Sequence, residues 1–239
     1  MSLKSGFKRG REAARLASFG LGLALLAQAS PAPAGIAVSQ MVIDLKPGDS
    51  RATDIEIAND SAERSYVSIE PREIVDPGTA NERGAVSPDP GKLGLLVSPN
   101  RLILEPNQRR RLRIAVIGPP GNRERVYRVT VKPVAGEVSG ADSGLKLLVG
   151  YDLLVLVRPA QARPAVTASR SGGSLTITNG GNSSVELTEG RQCAGSGKSC
   201  RPLPGKRLYA GASWAQSLEG GGTVEYRLRT ADGWTSMTF

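Results

Sequence analysis

The chain of 239 residues contains no histidine and two cysteines, Cys193 and Cys200. Without imidazole there is no Ser-His-Asp triad, no Cys-His dyad and no histidine-bearing metal site. The Gly-rich pieces SGGSLT and EGGGT precede strand-like runs rather than helices, so they lack the context of a phosphate loop. Asp and Glu are scattered over turns and solvent-facing strand positions. A glycosidase-like pair of carboxylates meeting in space is left open. The cysteines enclose a short Gly/Ser-rich loop in RQCAGSGKSCRPL, which in an oxidising compartment reads as a local structural disulfide. The closed loop is small, so its stabilisation falls towards the lower part of the usual ~2–4 kcal/mol. A redox-active pair is more often Cys-x-x-Cys, and a metal site needs more ligands than one Cys pair. The residue types therefore favour binding through backbone and shape over catalysis, with no metal and no cofactor.

One stretch has a pattern suited to such binding. In LKLLVGYDLLVLVRPAQARP (Leu145 to Pro164), the odd positions from Leu145 to Val157 are all apolar. The even positions start with Lys146, Leu148, Gly150 and Asp152 and only then become Leu154 and Leu156. Alternation with period two marks a half-exposed strand, and apolar residues on both faces mark a buried one. The strand reads as half-exposed at its start and enclosed in its own domain's core from Leu153 to Val157.

Short β-type runs separated by turn residues make up the rest. They cover Ile36–Leu45, Ala52–Asn59, Ser65–Ile74, Gly94–Pro106, Arg110–Ile117 and Arg125–Val134, with KPGDS, NDSAE, DPGTANERG, EPNQ and GPPGN between them. With the stretch from Leu145 these make seven runs, which predict an antiparallel sandwich of immunoglobulin type. Pro99 inside the fourth run marks a bend or strand switch, because proline cannot donate to a ladder. RPAQARP (Arg158–Pro164) reads as a stiff linker. After it the chain becomes richer in Gly, Ser and Thr, and the runs AVTAS, SLTITN, SVELTEG, KRLYAG, SWAQSL, TVEYRLRT and WTSMTF predict a second, smaller β-domain. The fold class is all-β, two sandwiches in tandem. The expected division is residues 1–34 as a signal peptide, 35–158 as the first domain, 159–164 as linker and 165–239 as the second domain.

The signal-peptide reading rests on a basic start (Lys4, Lys8, Arg9, Arg11, Arg15), the apolar run LASFGLGLALLAQA, and Ala-x-Ala patterns at Ala27–Ala29 and Ala32–Ala34. That run falls short of the ~20 residues a membrane span needs. The segment carries five cations and one anion (Glu12), so without it the formal net charge falls from +9 to about +5. Such a mild excess is not a nucleic-acid signature. Arg109-Arg110-Arg111 and Arg113 sit on a strand, where alternation splits them between faces, so no nucleic-acid partner is expected. A soluble chain exported from the cytoplasm is predicted, not one embedded in a membrane.

Four pieces, in order, resemble the PapD-like periplasmic pilus-assembly chaperones of the chaperone–usher pathway. IAVSQMVIDLKPGDSRATDIEIAND is similar to the family's first two strands with their Asn-Asp turn. LVSPNRLILEPNQRRRLRI is similar to its Pro-bearing strand, E/P turn and following strand. RVYRVTVKPV resembles the next strand, and LKLLVGYDLLVLVRPA the last strand of domain one, ending in Arg158-Pro159. The resemblance implies a boomerang of two immunoglobulin-like domains with a cleft between them. It also implies binding of exported pilus subunits that lack their final strand, by donor-strand complementation, and delivery to an outer-membrane usher. The donor side chains are then Leu145, Leu147, Val149 and Tyr151, each contributing roughly 1.5–3 kcal/mol if fully buried in the subunit. The same apolar edge offers the free protein a surface for self-dimerisation. The short connection from Val134 to Leu145 resembles the branch of the family that serves rod-like pili.

The chain departs from the family at its anchor. The family places an Arg on the first strand and a Lys on the last, which grip the subunit's terminal carboxylate. Here Gln40 or Met41 and Leu154 occupy those positions, and none of them is a cation that could pair with a carboxylate as the family's Arg and Lys do. Gln40 and Leu154 are accordingly expected only as cleft positions. The alternative function is a structural or adhesive cell-surface protein, such as a pilus subunit. A self-complementing subunit would carry a free alternating extension at its N-terminus, whereas Ile36 runs directly into the first strand.

Overall fold

The computed structural model describes residues 35–134, 148–195 and 199–239, so the basic and apolar N-terminal segment, Leu145 and Leu147 lie outside the described residues. The first sandwich opens with a chain that changes sheet. The single run expected over Ile36–Leu45 is two strands, β1 (Ile36–Val38) and β2 (Val42–Leu45). No Pro or Gly breaks it. Ser39 N still bonds Glu56 O (2.9 Å) in one sheet while Met41 O accepts Leu154 N (2.9 Å) in the other, so the residues between them must cross over.

In chain order there follow β3 (Ala52–Asn59), β4 (Ser65–Val75), β5 (Arg83–Ala85), α1 (Pro90–Leu93), β6 (Leu95–Ser98), β7 (Arg101–Leu104), β8 (Arg109–Val116), β9 (Arg125–Val134) and β10 (Tyr151–Val157). One sheet has the order β1-β3-β8-β6, and the other β2-β10-β9-β4-β5 with β7 also on β4. Pro99 lies between β6 and β7, which belong to different sheets, so the expected strand switch is there. The short helix α1 and the strand β5 fall in stretches with no periodic signal. Asp89 caps α1 by accepting from Gly91 N (2.9 Å), and Gly94 ends it at φ 79°. A Cβ on Gly94 would meet the Arg125 guanidinium at 2.1 Å, so the position excludes a side chain on two grounds.

Alternation works as expected inside the sandwich. Ile55 and Ile57 point inward from β3, and Tyr127, Val129 and Val131 do so from β9. Burial pushes the Tyr127 phenol well above its usual pKa, and its hydroxyl donates to Leu93 O (3.0 Å). On β10, Leu153, Val155 and Val157 fill this core. Leu154 and Leu156 do not. They face away from it and pack with Val126, Ile74 and Tyr209, the last contributed by the second sandwich. The expectation that both faces of this segment belong to domain one's own core is therefore corrected. Its second face is covered by the other sandwich.

The second sandwich contains β11 (Val166–Ser171), β12 (Ser174–Asn179), β13 (Val185–Cys193), β14 (Cys200–Leu203), β15 (Lys206–Leu208), β16 (Ser213–Ser217), β17 (Thr223–Thr230) and β18 (Gly233–Thr238). Its sheets run β11-β12-β16 and β14-β13-β17-β18, with β15 also on β13. Cys193 and Cys200 are directly opposite on β13 and β14 and are disulfide-bonded. Among the described residues no helix is long and apolar enough to cross a membrane.

The two sandwiches share one internal device. Asn59, wholly buried at the end of β3, donates to Glu63 O (2.7 Å), Leu104 O (3.1 Å) and Glu105 O (3.1 Å). Asn179, wholly buried at the end of β12, donates to Ser183 O (2.9 Å) and Leu208 O (3.0 Å). Each asparagine thus satisfies carbonyls of the turn after its own strand and of a distant strand end, which buried backbone requires.

Between the sandwiches lies Arg158, 4% exposed. Its guanidinium donates to both Asp44 carboxylate oxygens (2.7 and 2.9 Å), to Glu124 Oε2, and to Ser184 O (3.1 Å) and Oγ (3.2 Å). Burial opposes the charge, but the two carboxylates outweigh it, and the Arg158 pKa is held above its ordinary value. The connector beyond it is pinned by Asn182, which donates to Asn122 O and Gln161 O (2.8 Å each) and accepts from Arg163 N (2.6 Å).

Two outcomes follow from these contacts. Arg158→Met leaves two partly or fully buried carboxylates unpaired and should cost about 3–5 kcal/mol, read as a lower urea midpoint. Adding Glu124→Gln and Asp44→Asn should recover much of that loss, and an unchanged midpoint in the single variant would contradict the assignment. Asn59→Ala should cost about 1–3 kcal/mol and speed amide exchange in the first sandwich, with Asn179→Ala doing the same in the second. Equal exchange rates in both variants and wild type would show that these amides hold nothing in place.

Candidate functional site

β10 is paired unequally on its two sides. It bonds β9 over all seven residues, from Tyr151↔Val131 to Val157↔Arg125. It meets β2 only from Leu154↔Val42 onward. Among the described residues, Tyr151, Asp152 and Leu153 therefore have a strand on one side alone, and the three residues before them, Leu148–Gly150, are not in a strand. Gly150 runs close along β9, where an added Cβ would lie 3.1 Å from Val131 O. Unpaired backbone beside apolar side chains is a template for another strand.

The side chains along this edge form a graded row. Leu153 is wholly buried, Tyr151 is partly buried with its hydroxyl donating to Ile36 O (2.9 Å), and Val149 is 59% exposed. All three share one parity, so the inward-facing row continues past the end of its own core into solvent. Of the four expected donor residues, Val149 and Tyr151 are on this row, and Leu145 and Leu147 lie outside the described residues.

The other parity faces the second sandwich. Leu154, 6% exposed, is covered by the small cluster around Tyr209 and is a wall rather than an open cleft position. Gln40 is exposed and donates to Val42 O (2.7 Å), next to the Met41–Leu154 backbone bond. Neither supplies a cation, and Arg158 is consumed at the junction. Two arginines missed in the sequence stand beside Leu154 instead. In register, Leu154 faces Arg128 on β9, and Arg128 faces Arg72 on β4. Arg72 donates to Thr130 Oγ1 (2.6 Å) and both Asp152 oxygens (3.2 and 3.0 Å), and Thr130 Oγ1 donates to Asp152 Oδ1 (2.9 Å). Farther out, Lys132 and Ser68 hold the Glu70 carboxyl below its usual pKa. The same face ends in an exposed apolar row, Ile103, Tyr66 and Val134, directly opposite one another on β7, β4 and β9. The sequence signal for Arg128 was its parity in RVYRVTVKPV, opposite to the buried Tyr127, Val129 and Val131.

The tribasic run lies on the opposite sheet. Arg109, Arg110 and Arg111 are exposed, with Arg109 paired to Glu56 (2.9 Å) and Arg113 to Asp54 (3.5 Å), a solvated stripe. Among the described residues no three acidic or thiol groups cluster to hold a metal ion.

Residues 35–163, more than half of the chain, match the pili and flagellar-assembly chaperone family, PapD N-terminal domain. A curated Escherichia coli protein named as a CS1 fimbrial subunit is 24% identical over 201 residues, covering 80% of this chain and 83% of its own length. The solved class 5 fimbriae chaperone CfaA has a TM-score of 0.65 at 22% identity, covering 85% of this chain and 98% of that one. A chain of the Salmonella enterica complex of SafA pilin with the SafB chaperone has a TM-score of 0.61 at 19% identity, with 86% and 95% covered. At such identities the solved structures speak to the fold, two immunoglobulin-like sandwiches in tandem. The family match over the sandwich that carries the open β10 edge speaks to the function: the chain belongs to the PapD-like family and is a pilus-assembly chaperone.

Proposed function

We propose that this chaperone works in the periplasm after removal of its N-terminal segment, and holds exported pilus subunits by lending them the start of β10. The observation that carries this reading is the row that passes from buried Leu153 through Tyr151 to exposed Val149 along an edge with no partner strand among the described residues. Leu145 and Leu147 extend the row by parity. A subunit without its last strand exposes an apolar groove and unpaired backbone, and this edge supplies both the side chains and the hydrogen bonds it needs.

Delivery to an outer-membrane usher requires a second face that stays uncovered while the subunit is held. The exposed row of Ile103, Tyr66 and Val134 crosses β7, β4 and β9 of the same sheet and suits that role. In the free protein the β10 edge is also the surface through which two copies would pair. The alternative reading, a pilus subunit, draws on the name of the curated relative. It fits the first sandwich less well, because here the last strand is present and paired to β9 along its whole length.

Co-expression with subunit genes from the same gene cluster, followed by purification from an osmotic-shock fraction, tests the proposal. Leu147→Asp with Val149→Asp should cut the recovered complex at least about tenfold, since each lost side chain removes roughly 1.5–3 kcal/mol of burial. Val149 is exposed in the free protein, so the thermal midpoint should stay unchanged. Full recovery of the complex with both charges in place would overturn the donor assignment.

A further inference from the structure

We propose that the edge of β18 is a homodimer interface, at which two copies of this chain pair antiparallel and join their second sandwiches into one continuous sheet. The surface lies on a different sheet from β10, so this inference stands apart from the strand-lending reading.

Backbone parity shows which groups this edge offers. β18 (Gly233–Thr238) ends the order β14-β13-β17-β18, so among the described residues it has a strand on one side alone. Just beyond it, Phe239 N donates to Val224 O (2.8 Å) and Phe239 O accepts from Val224 N (3.2 Å). Along an antiparallel ladder such pairs alternate, so Met237, Thr235 and Gly233 also turn their backbone groups to β17, opposite Tyr226, Leu228 and Thr230. Trp234, Ser236 and Thr238 therefore direct N–H and C=O away from their own sheet. A second β18 placed antiparallel about a two-fold axis at Ser236 sets Ser236 against its own copy and Trp234 against Thr238 of the copy. That register satisfies about six backbone hydrogen bonds, two for each opposed pair, and any other two-fold register satisfies fewer.

The side chains fit a second copy. Sheet edges are ordinarily guarded by charge, proline or a cover. Elsewhere in the second sandwich such guards are in place: Arg201 and Pro202 lie on β14, Arg170 on β11, and Lys206 packs over the Trp214 ring of β16 (5.7 Å). β18, GWTSMT, carries no charge and no proline, and its Trp234 is 51% exposed. In the Ser236-centred register every pair across the interface is uncharged: Trp234 with Thr238, Thr235 with Met237, and Ser236 with itself. An aromatic ring against a β-branched residue is a favourable cross-strand pair. Arg227 and Arg229 stack on the Trp234 ring (4.7 and 5.8 Å), which fixes the indole before a partner arrives. Their charge does not oppose the pairing. Arg227 is paired with Glu189 (2.9 Å), and it lies three strand spacings from its copy, roughly 14 Å, beyond the ~8 Å screening length at physiological salt. An edge of six residues is a small interface, so the dimer dissociates on dilution.

The test is sedimentation equilibrium, over a concentration series, of the mature chain carrying Val149→Asp, which charges the β10 edge and leaves β18 alone. This parent should run from monomer to dimer. Adding Ser236→Lys sets two ammonium groups face to face and should raise the dissociation constant at least about tenfold. Ser236→Pro should do the same by removing an outward N–H that β17 does not use. In dilute, monomeric samples both variants should keep the parent's thermal midpoint. Ser236→Cys should give a disulfide-linked dimer under oxidised glutathione and Trp234→Cys should not, because the Ser236-centred register brings only the first pair within bridging distance. A parent that stays monomeric throughout would leave the edge to a foreign strand and overturn the proposal, without touching the strand-lending reading. A dimer that persists unchanged in Ser236→Lys, or equal cross-linking by the two cysteines, would overturn it as well.

Discussion

A guanidinium removed from water must find carboxylates and hydrogen-bond acceptors, and around Arg158 that requirement organises the molecule. Its partners come from three places: Asp44 on β2, Glu124 at the entrance to β9, and Ser184 at the entrance to β13. The first contact holds β2 alongside β10, the second ties the adjacent strand, and the third brings in the second sandwich. A buried ion pair adds little net stability over an apolar substitute, but breaking one is costly, so its effect is to make alternatives expensive. The length of the open β10 edge follows from this. β2 is held where Asp44 meets Arg158, and the residues β2 does not reach are those whose edge stays open among the described residues.

The edge that results contradicts the usual care with which sheets hide their margins. β10 exposes backbone on one side and continues an apolar row out of the core, the arrangement that in most proteins invites aggregation. Here the exposure is graded. Tyr151 is partly covered and its hydroxyl is tied to Ile36 O, while Gly150 lets the preceding chain lie flat against β9. The outer face of the same sheet is laced with Arg72, Asp152, Glu70 and Lys132. Stickiness is thereby confined to one edge and one end of the sheet.

Much of this was legible in the residues, for physical reasons that differ from place to place. The alternation of β3 and β9, the switch at Pro99 and the Cys193–Cys200 bridge each depend on local chemistry: period-two burial, a missing N–H, and a pair closing one hairpin. The break between β1 and β2 was not legible, because Ser39, Gln40 and Met41 are compatible with a strand and only pairing in two different sheets interrupts them. The double-faced character of Leu153 to Val157 was visible, but its cause was not. An apolar side chain registers that something covers it, not whether the cover is its own core or, as for Leu154 and Leu156, Tyr209 of the neighbouring sandwich. Arg128 was overlooked for a related reason: it lies on the unremarked parity of β9, and its proximity to Leu154 exists only through cross-strand register.

The pinned connector has a consequence for how the molecule meets a partner. A Pro-rich segment left free would let the second sandwich swing, and each binding event would then have to arrest that motion. Asn182 bonds both the loop before β9 and the connector itself, and Gly181 lies so close that a Cβ there would come within 2.3 Å of Arg163 O. The segment is a strut rather than a hinge. The entropy of fixing one sandwich against the other is lost once, at folding, and the surfaces around Leu154 are held already assembled, so no later event has to arrest them.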